Sequence, residues 1–246
     1  MKHKEELRLE RRHGVVEFTT TMHYIHKYLH AGDRVLDIGA GCGNYTIALM
    51  DEGYEVDAVE LVKRNIDVML QRCPAASVRK ADARDLSFIA DASYDVTLLL
   101  GPMYHLMNEN DKLKALAEAQ RVTRPGGTIL VAYLMNDYSI VSYCFAQNRM
   151  ADLRAKGFVD EDFHVQTPEG ELYDYIRLED ATRMNDALGL KRLTVFTPDG
   201  PTDYIRYELN RMTDDNFALY LQYVQSIAER PDLIGAAAHI VDVLQR

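Results

Sequence analysis

Between residues 34 and 134, short β-branched or aliphatic runs alternate with helix-like segments of about ten to fifteen residues, a pattern that predicts βαβ units on a parallel sheet. The strand runs fall at residues 34–38, 54–60, 77–81, 95–100 and 128–134. The intervening helices are predicted at 44–51, closed by Gly53, at 63–72, stopped by Pro74, and at 109–122, stopped by Pro125-Gly126-Gly127. Ahead of the first strand, Val15, Phe18, Met22, Ile25 and Leu29 recur at helical steps, the stripe of an amphipathic helix covering the sheet or its mouth.

Beyond Leu134 the periodicity changes. Residues 138–156 read as a helix, 157–171 as loop, 178–188 as a helix ended by Gly189, and 192–197 as a strand. The turn Pro198-Asp199-Gly200-Pro201 then leads to residues 204–209, read as an antiparallel hairpin partner. Residues 214–229 and 233–244 read as two helices separated by Pro231.

Composition narrows the class. With 47% hydrophobic and 27% charged residues in 246, the chain has the make-up of a globular protein with a substantial core. The N-terminus, MKHKEELRLERRHG, lacks the apolar stretch of a secretory signal or anchor, and the longest largely apolar run, residues 96–108, falls short of the roughly 18 residues of a bilayer span. Cys42, Cys73 and Cys144 form no CxxC pair, so the expected compartment is the reducing cytoplasm. The net charge is −10, and residues 151–246 alone, with ten basic and eighteen acidic side chains, hold −8 of it. Such a surface argues against nucleic-acid partners and favours neutral or cationic ligands over polyanions.

The most informative segment is VLDIGAGCGNYT, residues 35–46: a strand, an acid, then Gly39-Ala40-Gly41-Cys42-Gly43 leading into a helix. Glycines let the backbone approach a ligand, and the helix offers unsatisfied N–H groups to an anion. A dinucleotide fingerprint needs glycine where Asn44 stands, so the spacing is GxGxG and not GxGxxG. Glu60, seventeen residues beyond Gly43 at the end of the second strand, suits the hydroxyls of an adenosine ribose, which fits NAD as well as S-adenosylmethionine.

The segment resembles the first motif of class I S-adenosylmethionine-dependent methyltransferases. The resemblance extends, in the family's order, through Ala81-Asp82-Ala83, the fourth strand with Gly101-Pro102-Met103-Tyr104-His105, and the turn Arg124-Pro125-Gly126-Gly127, covering residues 34–134. It implies an α/β fold: a Rossmann-like, doubly wound, mostly parallel seven-stranded sheet with helices on both faces, an insert after strand 5 and a C-terminal helical extension. It implies an N-terminal segment over the site (1–30), a cofactor-binding core (31–136), a substrate-covering insert (137–190) and a closing hairpin with helices (191–246). S-adenosyl-L-methionine would be the cofactor and S-adenosyl-L-homocysteine the product. Their site would comprise Asp37, Gly39, Ala40, Gly41, Gly43, Asn44, Tyr45, Glu60, Leu61, Leu100 and Gly101, with Asp82 and Ala83 at the adenine.

Methyl transfer from a sulfonium is an in-line displacement, so alignment and exclusion of water dominate and a base is optional. His105 is the candidate base, or else packs against the cofactor; Tyr104 shapes the acceptor pocket or faces the sulfonium. Gly-Pro-Met-Tyr at 101–104 departs from the NPPY-like tetrapeptide of amino-methylating nucleic-acid enzymes, and no set of acidic metal ligands follows the fourth strand. His23, His26 and His30 share a helical face but lack a completing ligand, so no metal is expected. Arg12, His13, Tyr24 and His23 either face the crevice or form a solvated face. Tyr133, Tyr138, Tyr143 and Phe145 read as a lid over a small molecule, or as the buried side of a helix. The expectation is methyl transfer to O, N or S of a small molecule by a monomer or homodimer without membrane or nucleic-acid partners. A protein or RNA methyltransferase and a cofactor-binding protein without turnover are the alternatives.

Overall fold

A computed structural model describes residues 11–246. Helix α1 (Arg12–Tyr28) precedes β1 (Arg34–Ile38), α2 (Asn44–Asp51), β2 (Glu55–Glu60), α3 (Lys63–Arg72), β3 (Ser77–Lys80), β4 (Tyr94–Leu99), α4 (Glu109–Val122) and β5 (Thr123–Leu134). After β5 come the short α5 (Asn136–Ser139), a π-helical stretch Ile140–Phe145, α6 (Met150–Ala155), α7 (Leu178–Leu188) and β6 (Lys191–Phe196). Helices α8 (Arg206–Leu209), α9 (Asp214–Ile227) and α10 (Pro231–Ile234) lead to β7 (His239–Gln245). The seven strands form one sheet in the order β3-β2-β1-β4-β5-β7-β6, parallel except for β7, which pairs antiparallel with both neighbours.

Both faces of the sheet are covered, which is why its strands read as continuous apolar runs. Successive residues serve opposite sides: Leu36 and Ile38 pack with Leu116 and Ala119 of α4 and Met184 of α7. Val35 lies on the other side with Met22 and Ile25 of α1 and Leu49 of α2. Strand order reverses between β1 and β4, and at such a switch point the carboxyl ends of the strands leave a crevice for a ligand.

The expected seven-stranded, doubly wound sheet is present, but its closing hairpin is built from different residues. Residues 204–209 are not a strand: they follow Pro201 through a 3-10 turn (Thr202–Ile205) into α8. The partner of β6 is β7, in a segment the sequence pattern assigns to a helix, so the expected C-terminal helical extension lies between β6 and β7 instead. Ile240, Val241, Asp242, Val243 and Leu244 are all buried at 0–1% exposure. A sheet interior buries consecutive residues on alternate faces, whereas an amphipathic helix keeps one side wet. Asp242 tolerates this because Arg192 donates Nε and Nη2 to its two oxygens at 2.7 Å each and Asn185 donates Nδ2 at 2.7 Å. The single helix expected over 138–156 is also broken, with Asn148 in the left-handed region (φ 54°) between the π-helical stretch and α6.

Candidate functional site

The glycine loop is held from behind by β2. Gly39 and Ala40 both donate their N–H groups to Val59 O, at 2.7 and 3.1 Å. A Cβ on Gly39 would meet Pro102 Cδ at 2.5 Å, and one on Gly101 would meet Gly39 O at 3.0 Å, so the loop and the turn after β4 pack closely where both residues lack side chains. Gly43, with φ of 80°, caps α2 in the left-handed region. Beneath the loop, buried Asp37 accepts from Thr46 Oγ1 at 2.7 Å. Burial pushes the Asp37 carboxyl up to about 6, with the Glu60 charge adding to the rise and the Thr46 bonds opposing it.

Glu60 accepts the N–H of Gly41 at Oε2 and of Val62 at Oε1, each at 2.7 Å, which fixes the loop against the end of β2. Across the crevice Asp82 accepts Arg84 Nε at Oδ1, at 3.0 Å, and Nη2 at Oδ2, at 2.7 Å. Arg84 also reaches Asp111, and its hydrogen bonds hold the Asp82 carboxyl below the ordinary carboxylate range.

These residues line one half of a cavity of about 880 Å³ at the carboxyl ends of the parallel strands. The turn after β4 separates the halves, with Tyr104 donating its hydroxyl to Leu100 O at 3.2 Å. The second half is aromatic: Tyr104, Tyr138, Tyr143, Tyr173 and Tyr175 line it, with Leu172. The loop before α7 is pinned to the turn. Lys112, almost fully buried, donates to Asp174 Oδ2 at 2.5 Å and to Leu106 O, and Asp174 N–H donates to Tyr104 O at 2.8 Å.

Of the residues expected at the cofactor, Gly39, Gly41, Glu60, Leu61, Asp82, Ala83 and Gly101 line the cavity. Asp37, Ala40, Gly43, Asn44, Tyr45 and Leu100 stand behind that wall; Asn44 Oδ1 accepts from Arg72, and Tyr45 stacks on Phe18 at 5.2 Å. His105 and Tyr104 line the acceptor half, as do His13, Tyr138 and Tyr143. The structure does not bring Arg12, Tyr24 or Tyr133 there. Arg12 ties α1 to the carbonyls of Leu209 and Met212 and to Asp214. Tyr24 stacks on Phe196 at 3.6 Å, and Tyr133 is buried beneath the sheet surface. His23 is exposed, and Phe145, at 55% exposure, faces solvent and not a lid interior.

Four charged or titratable groups at the acceptor half escaped the sequence reading: Asp199, Asp203, Arg206 and His239. Asp203 accepts Tyr138 Oη at 2.9 Å and Arg206 Nε and Nη2 at 2.5 and 2.6 Å. Burial works against its charge, but the Arg206 pair outweighs it and holds the carboxyl low. Asp199 accepts His239 Nδ1 at 2.5 Å. The PDGP turn was the available signal for Asp199; His239 was hidden by assignment of its segment to a helix.

Residues 35–127 match the family model described as a methyltransferase domain. This segment is similar to methyltransferase domains. The chain is 41% identical over 102 residues to a demethylmenaquinone methyltransferase of Renibacterium salmoninarum, covering 41% of each chain. An O-methyltransferase of Penicillium expansum, cnsE, is 32% identical over 114 residues, covering 44% of this chain and 40% of that one. The match thus spans about two fifths of the length of these curated relatives. A SAM-dependent methyltransferase structure from Archaeoglobus fulgidus has a similar fold over 99% of this chain and 100% of its own, with a TM-score of 0.63 and 16% identity. A Burkholderia thailandensis 1,6-didemethyltoxoflavin-N1-methyltransferase, solved with its acceptor and S-adenosylhomocysteine, aligns over 96% of this chain and 78% of its own with a TM-score of 0.54 and 14% identity. Among the described residues no helix is long and apolar enough to cross a membrane.

Proposed function

We propose that this chain transfers a methyl group from S-adenosyl-L-methionine to an O, N or S atom of a small molecule and releases S-adenosyl-L-homocysteine. The observation that carries the reading is the single cavity joining the Gly39–Gly41 loop, Glu60 and Asp82 to a tyrosine-lined end across Gly101. The residues fit the cofactor. Each Glu60 oxygen accepts one backbone N–H and keeps lone-pair capacity for a ribose hydroxyl. A Cβ at Gly41 would meet no atom within 4 Å, so the loop backbone presents open space to a ligand there. Asp82 and the Ala83 backbone stand where an adenine would be read, with Arg84 orienting the carboxylate.

When bound, the sulfonium supplies an electrophilic methyl group; the chain's part is to orient donor and acceptor and keep water out. Leu172 and the tyrosines of the far end supply the apolar walls, and the Lys112–Asp174 pair keeps the covering loop on the turn. The negative balance of residues 151–246 supports neutral or cationic acceptors. Calorimetric titration with S-adenosyl-L-methionine and S-adenosyl-L-homocysteine tests the reading: saturable binding of both is expected, and absence of binding of either at high micromolar concentration refutes it.

A further inference from the structure

We infer that His239, held by the buried carboxylate of Asp199, takes the proton from the acceptor, and that the acceptor is an aromatic molecule carrying an ionisable hydroxyl. This rests on the methyltransferase reading and adds to it the base and the substrate class.

His239 opens β7 opposite Leu134, at the carboxyl edge of the sheet, and lines the acceptor half of the cavity. A carboxylate only accepts, so the 2.5 Å contact places a hydrogen on His239 Nδ1 and makes Nε2 the proton acceptor of the neutral ring. Asp199 is 3% exposed and wholly committed: Oδ1 accepts Thr197 Oγ1 at 3.0 Å and His239 N–H at 3.4 Å, while Oδ2 takes the ring. A carboxylate withdrawn from water is expensive unless paired, and its pairing here fixes the tautomer and stabilises the imidazolium that proton uptake creates. Burial pushes the Asp199 carboxyl up and His239 pulls it back.

Titratable groups of both signs surround the ring. Glu17 and His13 face this corner from α1, Asp203, Tyr204 and Arg206 from the turn before α8 and its first residue, Tyr220 from α9, and Tyr104 from the turn after β4. Arg206 is matched by Asp203, and the Asp199 carboxylate bonds the ring directly. His105 lacks this arrangement: its Nδ1 donates to the neutral Leu172 carbonyl at 2.9 Å.

The chemistry selects the acceptor. A neutral amine attacks with a lone pair it already has, whereas a hydroxyl must shed its proton as it attacks. Imidazole, near pKa 6.5, is matched to a phenolic hydroxyl near 10. Tyr104, Tyr138, Tyr143 and Tyr173 supply flat faces for the ring that carries it. In the step, the acceptor O–H bond breaks with its proton passing to Nε2. The oxygen bonds the donor methyl carbon, the methyl–sulfur bond breaks, its electron pair stays on sulfur, and the imidazolium returns its proton to solvent.

The test pairs binding with turnover. Calorimetry with S-adenosyl-L-homocysteine on the native protein, H239Q and D199N is read first, because failure of the native protein to bind refutes the methyltransferase reading itself. Release of S-adenosyl-L-homocysteine is then followed with naphthols and mono- and dihydroxybenzenes against matched anilines and thiophenols. Hydroxyl acceptors alone should turn over. H239Q should lower kcat by about 10²- to 10⁴-fold with the KM for S-adenosyl-L-methionine unchanged, and the deficit should shrink as pH rises and the acceptor ionises unaided. Independently of turnover, the ligand-free protein should show a far-downfield Nδ1–H proton resonance for His239 that D199N abolishes. Binding without turnover of any hydroxyl acceptor, methylation confined to amines or thiols, an H239Q pH profile parallel to the native one, or the resonance persisting in D199N would each overturn the inference.

Discussion

Arg192→Met offers a direct measure of what holds β7 in the middle of the sheet. Asp242 is fully buried, and two of its three hydrogen bonds come from Arg192, itself about a quarter exposed. Methionine keeps the aliphatic length of the arginine but leaves the carboxylate with Asn185 alone. Removing one partner of a buried pair costs about 3–5 kcal/mol, because the remaining charge is stranded away from water. For a chain of this size that lowers the melting temperature by roughly 6–20 °C. The companion Arg192→Met/Asp242→Leu removes the stranded charge as well, and should recover most of the loss, since buried ion pairs are worth little against apolar replacements. Urea unfolding followed by circular dichroism gives both numbers. A loss below about 1 kcal/mol in the single variant, or a double variant no better than the single, would refute the account of Asp242 as a charge kept in place only by its partners.

Glu60→Gln replaces one charge-assisted acceptor with an amide that cannot accept both loop N–H groups; a loss of about 1.5–3 kcal/mol should raise the Kd for S-adenosyl-L-homocysteine roughly 10- to 100-fold, and unchanged calorimetric affinity would contradict the loop's dependence on it. Gly39→Ala should destabilise the fold by about 1–3 kcal/mol in thermal melts, because φ is 74° and the new Cβ would lie 2.5 Å from Pro102. Asp37 binds protons more tightly folded than unfolded, so the stability it contributes is present below its ordinary value of 3.8 and lost as pH rises through about 6. That is about 3 kcal/mol, and Asp37→Asn should flatten this fall, whereas parallel pH curves would argue that Asp37 ionises as freely folded as unfolded. Asp203 has the opposite sign: its stabilisation is present above about 3.8 and lost as pH falls, so Asp203→Asn should weaken the acid dependence of the melting temperature.

The core was readable because each handover between strand and helix carries its own chemical mark. Gly53 and Pro74 interrupt the pattern where the backbone must turn, Pro125-Gly126-Gly127 form an irregularity inside β5, which starts at Thr123 and not at 128, and α2, α3 and α4 end where those residues predict. β7 was not readable because Asp242 interrupts an otherwise apolar run and Ala236-Ala237-Ala238 precede it with strong helix formers. Only Arg192 and Asn185, some fifty residues away, make that aspartate acceptable in a strand. The glycine loop, Glu60 and Asp82 could be picked out because they follow consecutive strands. At the far end His13, Tyr104, His105, Tyr138 and Tyr143 could be picked out, but Asp199, Asp203, Arg206 and His239 could not, since tertiary folding alone brings them there.

The reversed direction of β7 has an architectural consequence. A parallel strand can offer the crevice only its last residues, whereas β7 enters the sheet at that edge and offers its first, His239 opposite Leu134. Between those two residues the chain leaves the sheet, rejoins it once as the edge strand β6, and returns at the mouth of the cavity. This stretch supplies most of the acceptor half, while the glycine loop, Glu60 and Asp82 lie wholly upstream of it. Apart from His13, Tyr104 and His105, the two halves thus answer to separate stretches of sequence, so most of the acceptor pocket can be rebuilt by exchanging one continuous segment without altering the glycine loop, Glu60 or Asp82.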